Sequence, residues 1–279
     1  MKTIQLNNLN ISNDLPIVLI AGPCQIESES HAIDVAGKIS EISKKLRIGF
    51  IYKSSFDKAN RTSISGKRGI GLEASCKIFN SIKKNFNRSI LTDIHHPEQA
   101  HIISNHVDIL QIPALLCRQT DLIVAAAKTG KCINIKKGQF LSPNDMRNAI
   151  EKCLATGNEN VLITERGTSF GYNNLVNDMR GLQIMRDTGY PVIFDATHSV
   201  QQPGSLNNAT GGQREFIEVL TRAATATGIA GLFMETHENP DIAPSDGKSM
   251  VPLHFLEDLL VRAIEIDQVT KKFPYIGIK

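Results

Sequence analysis

The stretch Val192-Ile193-Phe194-Asp195-Ala196-Thr197-His198 joins a short apolar run directly to residues that can carry charge or bind a metal. The same change recurs where residues 17–21 run into Gly22-Pro23-Cys24 and where residues 232–234 run into Glu235-Thr236-His237. In a parallel α/β barrel the carboxyl ends of the strands form one rim, so residues far apart in sequence meet there. The pattern therefore predicts a barrel with a functional site at that rim.

Eight short runs that are rich in Ile, Val, Leu or Phe are typical of strands buried on both faces. They lie at residues 17–21, 49–53, 89–93, 109–112, 132–135, 161–164, 192–195 and 231–235. Helical patterns separate them at 30–46, 72–86, 121–128, 144–155, 175–187, 214–227 and 253–272, with a weaker helix after Pro97. Eightfold alternation of strand and helix favours an α/β TIM (β/α)8 barrel over the competing doubly wound open sheet.

Two segments fall outside this alternation. Residues 1–15 carry Ile4-Gln5-Leu6 and Leu9-Asn10-Ile11 on either side of Asn7-Asn8, which predicts a hairpin covering the amino-terminal end of the barrel. Residues 199–213 contain Pro203-Gly204 and Gly211-Gly212 with little periodicity, which predicts a mobile loop over the rim. Because neither a linker nor a low-complexity tract divides the chain, we expect one domain over residues 1–279.

The length and composition fit a barrel enzyme and argue against several other classes of protein. The chain has 279 residues, close to the roughly 250 of a single α/β barrel. A net charge of +3 is too small to indicate nucleic-acid binding, and no stretch approaches the length of a membrane span. Five cysteines without a CxxC pair, and an N-terminus unlike a signal peptide, indicate reduced thiols in a cytoplasmic protein.

Six cationic side chains follow predicted strands and would share the rim. They are Lys53, Lys58, Arg61, Lys136, Lys137 and Arg166. Any one of them alone is most simply an ordinary solvated side chain, but six on one rim would repel each other unless an anion is bound there. Because Arg offers bidentate contacts to phosphate and Lys a point charge, the set predicts a site for two anionic groups.

A candidate metal site combines one thiol, one imidazole and two carboxylates: Cys24, His198, Glu235 and Asp246. Sulfur, nitrogen and oxygen ligands together suit a divalent first-row metal such as Zn²⁺, Fe²⁺ or Mn²⁺. No local spacing motif marks this set, and His237 and Glu238 are rival ligands nearby. The residues alone leave open that Cys24 is only a small buried residue and that His198 is a hydrogen-bonded rim residue.

Polar side chains at strand ends suit a hydroxylated substrate. They are Asn60, Thr62, Asp93, His95, Gln111, Gln139 and Asn173. Turn chemistry explains Asn173 equally well. The remaining cysteines, at positions 76, 117, 132 and 153, fall within predicted strands or helices or beside them, and we expect them in the core.

Motifs that span almost the whole chain in order point to one family. They are Ala21-Gly22-Pro23-Cys24-Gln25-Ile26-Glu27-Ser28, residues 53–63, Thr92-Asp93-Ile94-His95, Gln111-Ile112-Pro113-Ala114, Arg118-Gln119-Thr120-Asp121-Leu122, Lys136-Lys137-Gly138-Gln139-Phe140, residues 164–172, Asp195-Ala196-Thr197-His198 and Pro244-Ser245-Asp246-Gly247. On these motifs the chain resembles the 3-deoxy-D-manno-octulosonate 8-phosphate synthases. These barrel enzymes condense phosphoenolpyruvate with D-arabinose 5-phosphate for lipopolysaccharide synthesis. The related synthases that use erythrose 4-phosphate carry Lys-Pro-Arg-Thr-Ser where this chain has Lys58-Ala59-Asn60-Arg61-Thr62-Ser63, so the Ala-Asn pair favours the arabinose enzyme.

The resemblance implies a role for each matched residue. The phosphate of phosphoenolpyruvate falls to Lys136 and Arg166, its carboxylate and enol to Lys53, Lys58, Gln111 and Gln139, and the sugar to Asn60, Arg61 and Thr62. Asp93 joins the substrate-binding set, and the catalytic roles fall to Lys58, Asn60, His198 and Asp246. Family members with Cys at position 24 are metal-dependent, with His198, Glu235 and Asp246 completing the site. A divalent metal (Zn, Fe or Mn) and a homotetramer are therefore implied.

The implied reaction joins carbon to carbon. The enol carbon of phosphoenolpyruvate attacks the sugar aldehyde, water adds at C2, and phosphate leaves by C–O cleavage. Lysines and the metal can stabilise the negative charge on the aldehyde oxygen, and Asp246 or His198 would manage the proton of the water. The erythrose 4-phosphate synthase, a Schiff-base sugar-phosphate aldolase using Lys53 or Lys136, and a non-catalytic phosphometabolite-binding barrel are the alternatives.

Overall fold

Eight parallel strands close into a barrel in the computed structural model, which describes residues 1–61, 63–206, 209–273 and 275–277. The described strands are β1 (Ile4–Leu6), β2 (Leu9–Ile11), β3 (Val18–Gly22), β4 (Gly49–Lys53), β5 (Ser89–Asp93), β6 (Ile109–Ile112), β7 (Cys132–Lys136), β8 (Val161–Glu165), β9 (Thr168–Ser169), β10 (Leu175–Val176), β11 (Val192–Asp195), β12 (Gln201–Leu206), β13 (Ala209–Gly212), β14 (Gly231–His237) and β15 (Val251–Pro252). Barrel strands pair in the order β11-β8-β7-β6-β5-β4-β3-β14, and β11 also pairs with β14, which completes the ring. The predicted TIM barrel is confirmed, and the open sheet is wrong.

Helices follow the barrel strands and shield them from solvent. They are α1 (Glu29–Leu46), α2 (Leu72–Phe86), α3 (Pro97–Ile103), α4 (Thr120–Lys128), α5 (Met146–Leu154), α6 (Met179–Arg186), α7 (Ile217–Thr225) and α8 (Leu256–Lys272). α1 begins where the Ser28 side chain accepts a hydrogen bond from the His31 N–H, and it ends at Arg47 with a left-handed φ of 54°. None of the described helices is long and apolar enough to cross a membrane.

The predicted helix over residues 175–187 begins four residues later than expected. Leu175–Val176 instead pairs with Thr168–Ser169 as a short antiparallel hairpin on the rim. The turn needs a left-handed residue, and Asn173 supplies it with a φ of 56°. α6 starts only after Asp178, whose side chain accepts a hydrogen bond from the Arg180 N–H. The apolar residues at 175 and 176 match a helical period but belong to the hairpin.

The prediction of a loop with little regular structure over residues 199–213 is wrong. Most of it is an antiparallel ribbon of β12 and β13, in which Gln201 pairs with Gly212 and Gln202 with Gly211. Gly212 passes close to the backbone of the loop before β15, where a Cβ atom would lie 3.0 Å from the Lys248 carbonyl. Because the ribbon lies outside the barrel, it lacks the apolar alternation that would identify its strands.

The lower half of the barrel interior is an apolar core. Its members are Val18, Ile20, Ile51, Leu91, Ile109, Cys132, Leu162, Ile193 and Phe233, and they pack against Ile4, Leu6 and Ile11. The last three belong to the β1–β2 hairpin, which has the predicted position at the amino-terminal end of the barrel. This apolar core closes one end of the barrel and leaves the other end free for chemistry.

The upper half of the same interior is polar. Side chains two positions apart on a strand share a face, so Lys53 follows Ile51 and Glu235 follows Phe233 along the inner surface. The other polar members are Asp93, Gln111, Asn134, Lys136, Thr164 and Asp195, all buried. Seven of the eight barrel strands therefore carry a polar side chain near the carboxyl end, and β3 ends at Gly22, two residues before Cys24.

Candidate active site

A cavity of about 760 Å³ opens at the carboxyl ends of the barrel strands. The predicted site residues that line it are Lys53, Lys58, Asn60, Arg61, Asp93, Gln111, Lys136, Gln139, Arg166, His198, Glu235 and Asp246. Thr62, predicted to bind the sugar, lies outside the described residues. The closed barrel thus gathers onto one cavity side chains that are widely separated in the sequence.

Two lysines meet the buried carboxylate of Glu235. Lys53 at the end of β4 places Nζ 2.6 Å from Glu235 Oε1, and Lys58 Nζ lies 3.6 Å from the same oxygen. Burial alone would raise the pKa of Glu235, but the two ammonium groups hold it well below its usual range. Burial also opposes the charge on Lys58, yet Cys24 and Glu235 raise the pKa of this lysine well above its ordinary value. Lys58 and Glu235 are therefore both charged at neutral pH.

Asp195, the last residue of β11, orients a lysine and a histidine at once. Its Oδ2 accepts a hydrogen bond from Lys136 Nζ at 2.5 Å and lies 2.8 Å from His198 Nδ1. Burial would raise the pKa of Asp195, but His198 and Lys136 outweigh that effect and lower it, whereas burial lowers the pKa of Lys136. Because a carboxylate only accepts, His198 Nδ1 carries a proton, and Nε2, 3.7 Å from Glu235 Oε2, keeps its lone pair in the neutral ring.

Arg166 is a buried guanidinium with hydrogen-bonding capacity to spare. One of its Nη atoms donates to Gln201 Oε1 at 2.5 Å, whereas Nη1 is buried without a partner among the described residues. Burial lowers the pKa of Arg166, but an arginine side chain remains charged in proteins. Gln201 in turn donates from Nε2 to Asp246 Oδ1 at 2.7 Å. An unpaired buried donor is costly, and an anionic ligand in the cavity would satisfy it.

Asp93, at the end of β5, is fixed from two sides. Ser55 Oγ donates to its Oδ1 at 2.5 Å, and His95 Nε2 lies 3.0 Å from its Oδ2. Burial would raise the pKa of Asp93, but the hydrogen bond and charge of His95 lower it. His95 Nδ1 is buried without a partner among the described residues. Since His95 also lines the cavity, this nitrogen is suited to bind a sugar hydroxyl.

Arg61 connects the loop after β4 to the opposite side of the rim. It donates from Nη1 to Ser245 Oγ at 2.7 Å and from Nη2 to the Pro244 carbonyl at 2.9 Å. Ser245 Oγ donates onward to Asp246 Oδ2 at 2.8 Å. Asn60, next to Arg61, is exposed and lines the cavity. The segment expected to hold the sugar is therefore linked by hydrogen bonds to a predicted metal ligand.

Lys137 does not join the cations at the rim, contrary to the expectation from sequence. Its Nζ is fully buried, donates to three backbone carbonyls and to the Thr168 hydroxyl at 3.1 Å, and lies 3.5 Å from Glu165. Successive side chains of a strand point to opposite faces, so Lys136 and Lys137 cannot both face the cavity. The cationic set at the rim loses one member.

Three of the four predicted metal ligands converge. Cys24, Glu235 and Asp246 each offer a ligand atom within 4.8 Å of the others, and Cys24 Sγ lies 3.2 Å from Asp246 Oδ2. His198 lies beside this cluster, with Nε2 3.7 Å from Glu235 Oε2. One sulfur, two carboxylates and an adjacent imidazole nitrogen form a donor set that fits Zn²⁺, Fe²⁺ or Mn²⁺.

The electrostatics of Cys24 agree with a metal ligand. Burial, followed by the charge of Glu235, raises the pKa of the thiol well above its ordinary value. The proton of such a thiol can be donated to Asp246 Oδ2, 3.2 Å away. A divalent cation deprotonates a coordinating thiol outright, so a metal ion in this cluster would replace that proton and bind all three groups.

The rival ligands His237 and Glu238 belong to a separate cluster. Glu27, His31 and His237 also lie within 4.8 Å of one another. The His237 Nδ1 accepts a hydrogen bond from the Asn239 N–H at 2.9 Å, so Nε2 carries the proton that meets Glu27 at 3.0 Å. In this tautomer the lone pair of Nδ1 already accepts the hydrogen bond from Asn239, and Nε2 is protonated, so neither ring nitrogen is free to bind a metal. The cluster is a set of hydrogen-bonded pairs and is poorly suited to a metal.

No role is predicted from the sequence for Asp195, Gln201 or Ser245, although each positions a predicted site residue. Asp195 has a detectable signal, since it ends an apolar strand three residues before His198. Gln201 and Ser245 have none, because their contacts with Arg166 and Arg61 depend on how the rim segments fold over the cavity. The predicted core cysteines, at positions 76, 117, 132 and 153, are all buried and free.

Comparison with known proteins identifies relatives over nearly the whole chain. A model of the DAHP synthetase I family matches residues 2–272. A Bartonella henselae protein is 57% identical over 269 residues, which cover 96% of this chain and 96% of the relative. A Bartonella tribocorum protein is 58% identical over 269 residues, 96% of this chain and 97% of the relative, and a Brucella ovis protein is 57% identical over 270 residues, 97% and 98%. All three are named 2-dehydro-3-deoxyphosphooctonate aldolase.

Proposed function

The chain belongs to the DAHP synthetase I family, and from this premise we propose that it is a 3-deoxy-D-manno-octulosonate 8-phosphate synthase. Such an enzyme condenses phosphoenolpyruvate with D-arabinose 5-phosphate and water, and it releases phosphate, in the synthesis of Kdo for lipopolysaccharide. The observation that carries the proposal is the buried Nη1 of Arg166, which has no partner among the described residues and lies in one cavity with Lys53, Lys58 and Lys136. Two anionic substrates would supply the partners that this cavity lacks.

Phosphoenolpyruvate fits the deep end of the cavity. Arg166 and Lys136 bind its phosphate, because both are buried cations that line the same wall. Lys53 at the end of β4 and Gln111 on β6 face its carboxylate, and Gln139, whose Oε1 is buried without a partner among the described residues, lines the same cavity. The phosphate adds to the effect of Asp195, and together they oppose the burial that lowers the pKa of Lys136.

Arabinose 5-phosphate fits the open mouth of the cavity. Asn60 and Arg61 bind the sugar and its phosphate, together with Thr62, and Asp93 and His95 contact sugar hydroxyls. Arg61 is held at that position by Ser245 and so needs little reordering to bind the phosphate. The aldehyde end of the sugar then points inward, towards the enol carbon.

Bond formation places negative charge on the aldehyde oxygen. The enol carbon attacks the aldehyde carbon, and Lys58, a charged donor held beside Glu235, stabilises the oxygen as its charge develops. C2 becomes electron-poor, water adds there, and the phosphate leaves with cleavage of its bond to C2. Asp246, a carboxylate that lines the cavity, accepts the proton of the water.

A divalent metal, Zn²⁺, Fe²⁺ or Mn²⁺, would be held by Cys24, His198, Glu235 and Asp246 and would supply Lewis-acid stabilisation of developing negative charge. Glu235 can serve this role without releasing its lysines. Its Oε1 faces Lys53 and Lys58, while its Oε2 faces His198. Asp195 fixes the His198 ring through Nδ1, as a carboxylate partner does for a ligating imidazole.

We infer that the protein is a homotetramer in which each chain forms one domain over residues 1–279, and that it acts in the cytoplasm. The rim hairpin exposes Phe170 and Tyr172, which are 72% and 98% accessible, and exposed aromatic residues favour a protein interface. The five cysteines are free in the structure, which agrees with a reducing compartment. Light scattering coupled to gel filtration should give four times the mass of one chain, and a monomer would contradict the assembly.

Phosphate release tests the proposed reaction. Metal-loaded protein should release phosphate from phosphoenolpyruvate with arabinose 5-phosphate, and far less with erythrose 4-phosphate or with no sugar. Asn60→Ala should lower the rate with arabinose 5-phosphate, whereas Asn105→Ala, an exposed asparagine at the end of α3, should not. Comparable rates with the two sugars would contradict the assignment of substrate.

A Schiff-base aldolase is the second candidate, because burial lowers the pKa of Lys136 and such lysines can be nucleophiles. The ion pair of Lys136 with Asp195 at 2.5 Å opposes that role, since the nitrogen lone pair is not free. Borohydride added during turnover distinguishes the two mechanisms. The synthase mechanism predicts no covalent adduct, and a reduced adduct on Lys136 or Lys53 would support the aldolase.

A further inference from the structure

A chain of hydrogen-bonded side chains lies across three neighbouring strands of the upper barrel. Thr164 Oγ1 donates to Asn134 Oδ1 at 2.6 Å, and Asn134 Nδ2 donates to Gln111 Oε1 at 3.0 Å. Asn134 and Thr164 are completely buried, and Gln111 is nearly so. In the parallel register Gln111 lies opposite Asn134, so the chain is short and direct.

Both hydrogen bonds that connect Thr164, Asn134 and Gln111 run in the same direction. The Thr164 hydroxyl occupies the carbonyl of Asn134, so Asn134 meets Gln111 with its amide N–H. That contact occupies the carbonyl oxygen of Gln111. Its Nε2 donates to no protein group among the described residues, and Gln111 lines the cavity. The end of Gln111 that is left for a ligand is therefore the N–H donor, which an anion prefers.

We propose that Asn134 is a positioning residue that fixes the amide of Gln111 with its N–H group towards the carboxylate of phosphoenolpyruvate. The inference rests on the proposed function, because it takes that substrate as the anion. Without Asn134 the Gln111 amide could rotate and present its carbonyl oxygen, which repels a carboxylate. In a buried site such a polar reversal is costly, because water cannot compensate it.

Steady-state kinetics of Asn134→Ala test the inference. The KM for phosphoenolpyruvate should rise about tenfold, because the Gln111 amide would no longer be fixed to donate its hydrogen bond to the charged carboxylate. The kcat and the KM for the sugar should change by less than about threefold. Thr164→Val should shift the same constant in the same direction by a smaller factor, because it releases only the first bond of the chain.

A matched control separates positioning from general loss of stability. Asn158 is a buried asparagine whose amide donates to the carbonyls of Ala127 and Lys131, and it does not belong to the residues that line the cavity. Asn158→Ala should lower the melting temperature without a change in the KM for phosphoenolpyruvate. Should Asn134→Ala fail to fold, Asn134→Leu fills the volume without the hydrogen bonds and carries the same prediction.

A double-mutant cycle with Gln111→Met decides whether Asn134 acts through Gln111. In the Gln111→Met background, Asn134→Ala should raise the KM for phosphoenolpyruvate no further. Additive effects, or an unchanged KM in Asn134→Ala alone, would overturn the inference. Calorimetric titration with phosphoenolpyruvate gives the same comparison as a dissociation constant. A parent that binds this ligand without turnover would refute the proposed function while still deciding the role of Asn134.

Discussion

The lower and upper halves of the barrel interior are built from the same strands with opposite chemistry. Leu91 and Phe233 lie in the apolar core that the hairpin closes, and two positions further along the same strands Asp93 and Glu235 line the cavity. The lower half excludes water and stabilises the fold by burial of apolar surface. The upper half keeps charged groups out of water, which costs free energy unless they are paired.

The ion pairs of the upper half explain how the protein tolerates this cost. Lys53 with Glu235 and Lys136 with Asp195 are buried pairs at 2.6 and 2.5 Å. The attraction within such pairs roughly offsets their desolvation, so they add little net stability. They do hold charged lysines in fixed positions until an anionic substrate binds. One half of the barrel interior therefore serves folding, and the other half serves binding.

The largest expected effect follows a change at Cys24. Cys24→Ala should abolish both metal binding and turnover, because the cluster keeps its carboxylates and loses the thiolate. Cys24→Asn should keep measurable activity that resists chelators, since an amide can donate a hydrogen bond into the same space, and the resemblance implies that metal-independent relatives carry Asn there. Elemental analysis and phosphate release, each with and without chelator, measure both.

Cys153→Ala is the control for this experiment, because Cys153 is also buried and free but lies in α5. It should keep the metal and the activity of the parent. If the parent remains fully active after exhaustive chelation and elemental analysis finds no metal, then the metal site is wrong and Cys24 is only a packed rim residue.

The next largest expected effect distinguishes the role of the upper half of the barrel interior from that of the lower half. The double variant Lys136→Met/Asp195→Leu should lose turnover by about 10²-fold or more, since a buried phosphate ligand is gone. Its free energy of unfolding should stay within about 2 kcal/mol of the parent, because apolar groups can replace a buried ion pair. Leu91→Ala should lose about 2–5 kcal/mol and keep its KM values. Denaturant unfolding and kinetics check both variants, and the opposite pattern would contradict this division of roles between the two halves.

The sequence predicts the half of the molecule that follows simple periodicity. All eight barrel strands lie within two residues of their predicted bounds, because runs that are buried on both faces are apolar throughout. The ribbon of β12 and β13 and the hairpin of β9 and β10 escape prediction. Their pairing depends on turn geometry and on contacts above the rim, such as the Asn173 amide bound to the Pro203 carbonyl.

The predicted site residues meet in one cavity for the same reason, since strand ends share a rim. The sequence cannot show which of two adjacent lysines faces inward, and Lys137 turns out to face away. Nor can it show which carboxylate pairs with which lysine, since Glu235 and Asp195 both follow apolar strands. Those choices are made by the register and closure of the barrel.

Acid should destabilise the upper half first. The pKa values of Asp93, Asp195 and Glu235 are lowered in the folded state against burial, by His95, by His198 and Lys136, and by Lys53 and Lys58, respectively. Such carboxylates contribute stability above their unfolded pKa values and lose it as the pH falls through the folded values. Unfolding free energies measured with chelator present should therefore fall below about pH 4. The double variant at Lys136 and Asp195 should show a shallower fall, and equal slopes would contradict the assignment.

The smallest effect concerns the ribbon of β12 and β13 over the cavity. Gln201, its first residue, bonds both Arg166 and Asp246, so ligands that bind Arg166 should also tighten the ribbon. Amide hydrogen exchange over residues 201–206 and 209–212 should slow when both substrates are bound. The β1–β2 hairpin at the other end of the barrel should exchange at an unchanged rate. Equal changes at both ends would count against closure over the rim.

The most direct test of the proposed chemistry follows a single oxygen atom. Phosphoenolpyruvate labelled with ¹⁸O in the bridge between C2 and phosphorus is turned over with arabinose 5-phosphate by the metal-loaded protein. Condensation at the upper rim with addition of water at C2 predicts that the released phosphate carries the label and that the eight-carbon product does not. Unlabelled phosphate, with the ¹⁸O retained in the product, would mean that the P–O bond breaks and would contradict the account.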